Sequence, residues 1–284
     1  MENPEMGDTE PESKGSGKKI IIIVLILILV LAVVGVTLFF VLRKSDSTEP
    51  SAATTPFNKI VKDDSEIHLV PVSGKYDHIL IFMHGLLGKP EEYVSTFNKK
   101  DGPIPDNFKI ILPCAPTAFV TRLNFSTTSW FDLLGENNAI IKEDDIVFDD
   151  LVKNADRIKK LIEEEAKAVN NDYSKVFVGG FSQGACMSFH IGLSFNYTLG
   201  GVISFCGVPN TQTQIQENRK DLNIFSILGG KDIYFPVNDA KTSIETILTN
   251  FTNLQIKVYE KEEHAVTAAG LEDVKKYIQS LTKL

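Results

Sequence analysis

The stretch VFVGGFSQGACMSF, Val176 to Phe189, decides the reading of this chain. Val176 to Val178 has the apolar content of a buried strand, and the run from Gln183 onward reads as helix. Between them, Gly180-Phe181-Ser182-Gln183-Gly184 places a glycine two residues either side of a serine. A side chain at either glycine would crowd a very tight turn. That spacing is a nucleophile elbow, a strand-to-helix turn that presents a serine hydroxyl at the edge of a sheet.

A serine hydroxyl needs a base to take its proton, and the base needs a third group to hold it. In a doubly wound sheet with such an elbow the chain order is serine, acid, histidine. Of the five histidines, His68, His78, His84, His190 and His264, only the last two follow Ser182. His190 falls eight residues on, within the helix that Ser182 opens, and points along that helix. His264 is therefore the expected base, on the loop VYEKEEHAVTAAG before the closing helix, where a plain surface histidine is the competing reading. Asp232 is the expected acid because it follows the run NIFSILGG at the sheet's carboxyl edge, whereas Asp221 precedes that run and Asp239 lies in the next helix. An aspartate after Gly-Gly also suits ordinary turn chemistry.

A developing oxyanion requires N–H donors. One is expected from the Gln183 backbone, directly after the serine at a helix N-terminus. The other is expected from Leu86, after the buried run ILIFMHG that ends in His84-Gly85.

The chain has 284 residues, 43% hydrophobic and 23% charged, which is ample for a folded core. Its formal net charge of -8 and the lack of a basic face exclude general nucleic-acid binding. Cys114, Cys186 and Cys206 form neither a disulfide framework nor a CxxC zinc pattern, and read as buried free thiols. No metal cluster, phosphate loop or dinucleotide fingerprint appears, so no cofactor is expected.

Ile20 to Leu42 is 23 residues without a charge, about 34 Å as a helix and enough to cross a bilayer. It is too long for the apolar core of a cleaved signal. A permanent single-pass anchor is expected, with the side of the catalytic domain undecided because Lys14, Lys18 and Lys19 balance Arg43, Lys44, Lys59 and Lys62. Sequons at Asn124, Asn196 and Asn250 fit a luminal domain.

Residues 1–19 form a polar tail, 20–42 the span, 43–56 a flexible linker, and 57–284 one domain without a second linker or repeat. In that domain short apolar runs alternate with amphipathic stretches, the pattern of an α/β class with a mostly parallel central sheet flanked by helices. Strands are expected at Ile79–Met83, Lys109–Leu112, Val176–Val178, Gly201–Phe205, Asn223–Leu228 and Leu254–Tyr259. Helices are expected over Asp145–Val169, after Ser182, near Val237 and over Leu271–Leu281. Sites in such sheets lie at the carboxyl ends of the strands.

GGFSQGACMS resembles the nucleophile segment of the acyl-protein thioesterases and lysophospholipase-like carboxylesterases. HGLLG, LPCAPTAFVT, SWFDLLG and GGKDIYFP match that family's other blocks in order, from about Leu80 to Leu284. The resemblance implies an α/β-hydrolase fold, a Ser182–Asp232–His264 triad, Leu86 and Gln183 as oxyanion donors, and a hydrophobic acyl channel near Trp130. It further implies S-acylated proteins, lysophospholipids and simple carboxylic esters as substrates. The chain departs from the family's usual Gly-Asp at Leu87-Gly88, from its His-Gly-Asp at Leu228-Gly229-Gly230, and from a common glycine at Ala185. It also adds the anchor, which would place the site where long-chain acyl substrates partition. A general carboxylesterase for short soluble esters would carry the same triad, and chain-length preference separates the two. A tethered binding module is the non-enzymatic alternative, indifferent to Ser182→Ala. Oligomeric state is open.

Overall fold

The apolar runs assemble into an eight-stranded sheet in this computed structural model, which describes residues 55–136 and 140–283. The expected tail and span and nearly all of the linker fall in residues 1–54, outside the described residues; among the described residues no helix is long and apolar enough to cross a membrane.

In chain order the strands are β1 (Phe57–Val61), β2 (Ile67–Pro71), β3 (His78–Met83), β4 (Phe108–Leu112), β5 (Thr117–Val120), β6 (Phe125–Thr128), β7 (Val176–Phe181), β8 (Gly201–Phe205), β9 (Ile224–Gly229) and β10 (Leu254–Tyr259). The α-helices are α1 (Glu91–Phe97), α2 (Phe148–Ala166), α3 (Gln183–Ser194), α4 (Val237–Ile247) and α5 (Ala268–Thr282). The main sheet runs β1-β2-β4-β3-β7-β8-β9-β10. Pairing is antiparallel between β1, β2 and β4 and parallel from β4 to β10.

Alternate residues of the central strands go to opposite faces, as a period of two demands. Ile79, Ile81 and Met83, with Val176 and Val178, join the core beneath α2, α3 and α4, where Ile158, Phe189 and Ile244 are fully buried. Leu80, Phe82, Phe177 and Ile203 join the core beneath α1 and α5, where Phe97 and Ile278 are buried. Helices therefore cover both faces, as parallel strands require.

The six expected strands are present. β7 runs three residues past Val178, because Gly179 and Gly180 pair with Phe82 and Met83 of β3. The long helix is shorter than Asp145–Val169. Asp145 lies in a 3-10 turn, its carboxylate accepting from Arg122 Nη2 at 2.8 Å and from the Lys142 N–H at 2.9 Å. The closing helix starts earlier than Leu271, where the Thr267 hydroxyl accepts from the Gly270 N–H at 3.0 Å. The antiparallel pair β1–β2, the β5–β6 hairpin and α1 were not among the expected elements.

Candidate active site

Ser182 sits between β7 and α3 at φ 55, ψ -117, a backbone conformation that costs a non-glycine residue about 1–3 kcal/mol. The surrounding contacts enforce it. The Ser182 N–H donates to the Phe205 carbonyl at 2.9 Å, and the Ser182 carbonyl accepts from Ala185 and Cys186 at 3.0 and 3.1 Å. A Cβ on Gly180 would stand 2.4 Å from the Gly184 backbone, and one on Gly184 would stand 2.2 Å from the Met83 carbonyl oxygen. Both glycines are thus required by close backbone approach.

Asp232 and His264 meet at the same carboxyl edge. His264 Nδ1 lies 2.7 Å from Asp232 Oδ2. The other oxygen, Oδ1, accepts from the Tyr234 and Phe235 N–H groups at 2.8 and 2.9 Å. A carboxylate has no hydrogen to give, so Nδ1 is the donor and Nε2 keeps its lone pair. Phe181, Tyr234 and Phe235 surround the imidazole at centroid distances of 4.8, 5.0 and 5.9 Å. Phe181 precedes Ser182 in the chain, so its ring brings the elbow against the histidine. Among the described residues no hydrogen bond joins the Ser182 hydroxyl to His264. Catalytic hydrogen bonds commonly tighten only when substrate binds.

The departure at Leu228-Gly229-Gly230 has a steric meaning. A Cβ on Gly229 would stand 2.2 Å from the Glu263 carbonyl oxygen, and one on Gly230 would stand 2.6 Å from Glu260 Cα. The two glycines let the loop that carries His264 lie against the end of β9, with Lys231 N–H donating to the Glu262 carbonyl at 2.9 Å.

The expected oxyanion donors also lie on this edge. Neither the Leu86 N–H nor the Gln183 N–H has a backbone acceptor among the described residues. Leu86 is the second residue of a turn closed by Gly88 N–H to the Gly85 carbonyl at 3.1 Å, with Leu87 third at φ 65. That position favours glycine, and leucine there costs about 1 kcal/mol. The Leu87 N–H donates to the Thr128 carbonyl at 3.0 Å and the Thr128 hydroxyl donates to the Gly88 carbonyl at 2.8 Å, so the end of β6 holds the turn despite this strain. A Cβ on Gly85 would stand 3.3 Å from Ser182 Cβ, which sets the turn beside the serine.

Trp130 sits beneath the surface with the Arg157 guanidinium over its ring at 5.4 Å. It is fully buried, its Nε1–H donating to the His84 carbonyl at 2.7 Å and its own N–H donating to Gln183 Oε1 at 3.0 Å. Both partners belong to the segments of the expected oxyanion donors, His84 two residues before Leu86 and the side chain of Gln183 itself. A cavity of about 750 Å³ opens nearby beside Ala115 and Thr128, rimmed by Lys89, Glu91, Glu92 and Arg157. The three triad candidates do not line it.

Three further contributors were not expected. The Ala115 N–H donates to His84 Nε2 at 3.0 Å, so His84 is the Nδ1–H tautomer and donates to the Gly85 carbonyl at 2.7 Å. Burial holds its pKa down at about 4. The Gln183 amide donates to the Phe131 carbonyl at 2.9 Å and to the Ser129 hydroxyl at 3.1 Å, tying the elbow to the segment around Trp130. The Tyr234 and Phe235 donors form an Asx-type turn on Asp232, and an aspartate after two glycines was the available signal.

His190 is buried with Nδ1 3.0 Å from the Thr213 hydroxyl, away from Ser182 as expected. Cys186 and Cys206 are buried free thiols, whereas Cys114 is only half-buried. Cys206 follows β8 beside Asp232 and His264, and burial, with the nearby Asp232 charge, pushes its thiol up to about 12, which makes it a poor nucleophile.

Residues 66–282 match a family model described as phospholipase/carboxylesterase. Acyl-protein thioesterase 1 of Candida albicans is 28% identical over 215 residues, covering 72% of this chain and 92% of that protein. The Eremothecium gossypii acyl-protein thioesterase 1 is 26% identical over 212 residues, covering 72% and 87%. The crystal structure of Zea mays acyl-protein thioesterase 2 superposes with a TM-score of 0.64 at 18% identity, covering 76% of this chain and 98% of that one, and supports the α/β-hydrolase fold.

Proposed function

The chain belongs to the phospholipase/carboxylesterase family and is an ester or thioester hydrolase, and we propose that it cleaves long-chain acyl thioesters or esters, in S-acylated proteins or lysophospholipids, through Ser182, His264 and Asp232. The observation that carries this is the bond from His264 Nδ1 to Asp232 Oδ2 at 2.7 Å on the edge where the Ser182 elbow projects.

His264 Nε2 takes the Ser182 proton as the hydroxyl oxygen attacks the carbonyl carbon. The imidazolium that forms is stabilised by Asp232. The carbonyl oxygen becomes an oxyanion that accepts from the Leu86 and Gln183 N–H groups, with the N-terminus of α3 adding to the field. Collapse breaks the bond to the leaving thiolate or alkoxide, which takes the proton from His264 and leaves an acyl-Ser182. Water, deprotonated by His264, then attacks this ester and releases the carboxylic acid, returning the proton to Ser182. Residues 20–42 anchor the enzyme in a membrane, where long acyl chains concentrate.

A general carboxylesterase for short soluble esters is the second reading, favoured by the burial of Trp130 and the polar rim of the neighbouring cavity. The test is hydrolysis of acyl thioesters and oxygen esters from two to sixteen carbons by the detergent-solubilised full chain and its Ser182→Ala form. An optimum at long chains, lost in the variant, supports the first reading and a short-chain optimum the second. Activity that survives in Ser182→Ala overturns the assignment of the nucleophile.

A further inference from the structure

The three sequons are Asn124-Phe125-Ser126, Asn196-Tyr197-Thr198 and Asn250-Phe251-Thr252. All three asparagines are exposed in the folded domain, and none of their side-chain amides makes a hydrogen bond among the described residues. Asn124 lies in the turn between β5 and β6 at φ 59, a left-handed position that asparagine tolerates well. Asn196 lies between α3 and β8, and Asn250 between α4 and β10.

These places are compatible with a bulky group. Connections from a helix to the next parallel strand run at the amino edge of the sheet, whereas the site sits at the carboxyl edge. Asn196 and Asn250 are therefore on the edge remote from Ser182, Asp232 and His264. Asn124 stands at the far turn of the hairpin, on a connection that carries none of these three residues. Two of the acceptors are followed by large exposed rings, Phe125 at 45% and Tyr197 at 49% accessibility. A sugar on the preceding asparagine would cover apolar surface that otherwise faces water.

We propose that Asn124, Asn196 and Asn250 are N-glycosylation sites and that the catalytic domain consequently lies on the luminal or extracellular side of its membrane. The donor is an oligosaccharide on a polyisoprenyl pyrophosphate. The Asn Nδ2–C1 bond forms as the C1–O bond to the pyrophosphate breaks, the amide nitrogen loses one proton, and the lipid pyrophosphate leaves. Transfer precedes folding of these loops, because in the folded domain the Thr198 hydroxyl accepts from Arg219 Nη1 at 2.9 Å and the Thr252 hydroxyl donates to Asp221 Oδ1 at 2.8 Å. This placement rests on the anchor proposed above and selects among the substrates proposed with it, favouring ester and lipid substrates of the outer leaflet over S-acylated proteins of the cytosolic face.

The test uses the full chain with a carboxyl-terminal tag, made in glycosylating eukaryotic cells and recovered with membranes. Digestion with a peptide N-glycosidase is expected to increase gel mobility. Each single Asn→Gln change at the three sites is expected to remove one of three steps, and the triple change to remove all of them. In sealed microsomes the tag is expected to resist added protease until detergent is supplied. Membrane-associated wild-type chain with no glycosidase shift, or a tag digested in sealed microsomes, overturns the proposal without depending on how any variant folds.

Discussion

His264 is held by Asp232 through a single 2.7 Å contact from Nδ1 to Oδ2, while the other carboxylate oxygen is occupied by the Tyr234 and Phe235 N–H groups. The carboxylate is thus anchored by its own turn and leaves one oxygen to orient the imidazole. Asp232→Asn keeps an oxygen for the two backbone donors but presents an amide N–H toward Nδ1, which favours the wrong tautomer. The expected result is a fall in kcat of roughly ten-thousand-fold with little change in KM, measured by steady-state hydrolysis. A loss below tenfold would remove Asp232 from the triad.

Leu86 occupies the second position of the Gly85–Gly88 turn, a position where proline is well tolerated. Leu86→Pro removes the N–H while leaving the turn closed by Gly88. A decrease in kcat/KM of about 100- to 1000-fold is expected, with melting temperature nearly unchanged. If activity is retained, the first oxyanion donor is another group.

Gly184 has backbone neighbours that cannot rotate away, with the Met83 carbonyl carbon 2.6 Å from the place a Cβ would take. Gly184→Ala should therefore cost about 1–3 kcal/mol and displace Ser182 as well. Denaturant unfolding and an ester assay would read both effects. Unchanged stability together with unchanged activity would show that the elbow is not packed against the end of β3.

His84 and His190 both have pKa values lowered from 6.5 to about 4, first of all by burial. The unfolded chain then binds more protons than the folded one between those values, so stability rises with pH across that window. Both contributions are fully present above pH 6.5 and are lost as the pH falls toward 4. Each amounts to about 3 kcal/mol at most. Melting temperature should drop steadily from pH 6.5 to 4, and His190→Gln should flatten that slope. An equal slope in the variant would contradict the burial argument for this residue.

The residues between Val176 and Phe189 determined their own local structure. Two glycines flanking a serine between an apolar strand and a helix make a tight turn, and a Cβ at Gly184 or Gly180 would stand only 2.2 to 2.4 Å from neighbouring backbone atoms. Five of the six expected strands, β3, β4, β7, β8 and β9, were legible for a similar reason, since each is a run buried on both faces, whereas β10 at the sheet edge is only half-buried. The candidate order of Ser182, Asp232 and His264 could also be read from the chain, because each follows a strand.

Tertiary packing decided the rest. β1 exposes four of its five residues and β5 three of its four, so neither carries the apolar signal of a buried strand. The resemblance placed Trp130 near an acyl channel, but its hydrogen bonds could not be read from the chain. Its indole faces the His84 carbonyl and its N–H faces Gln183, partners 46 and 53 residues away. The tautomer of His84 depends in the same way on the N–H of Ala115, 31 residues on. Local sterics act within a few residues and are written into the sequence there. Hydrogen bonds that satisfy buried polar groups are chosen by whatever the folded chain brings within about 3 Å.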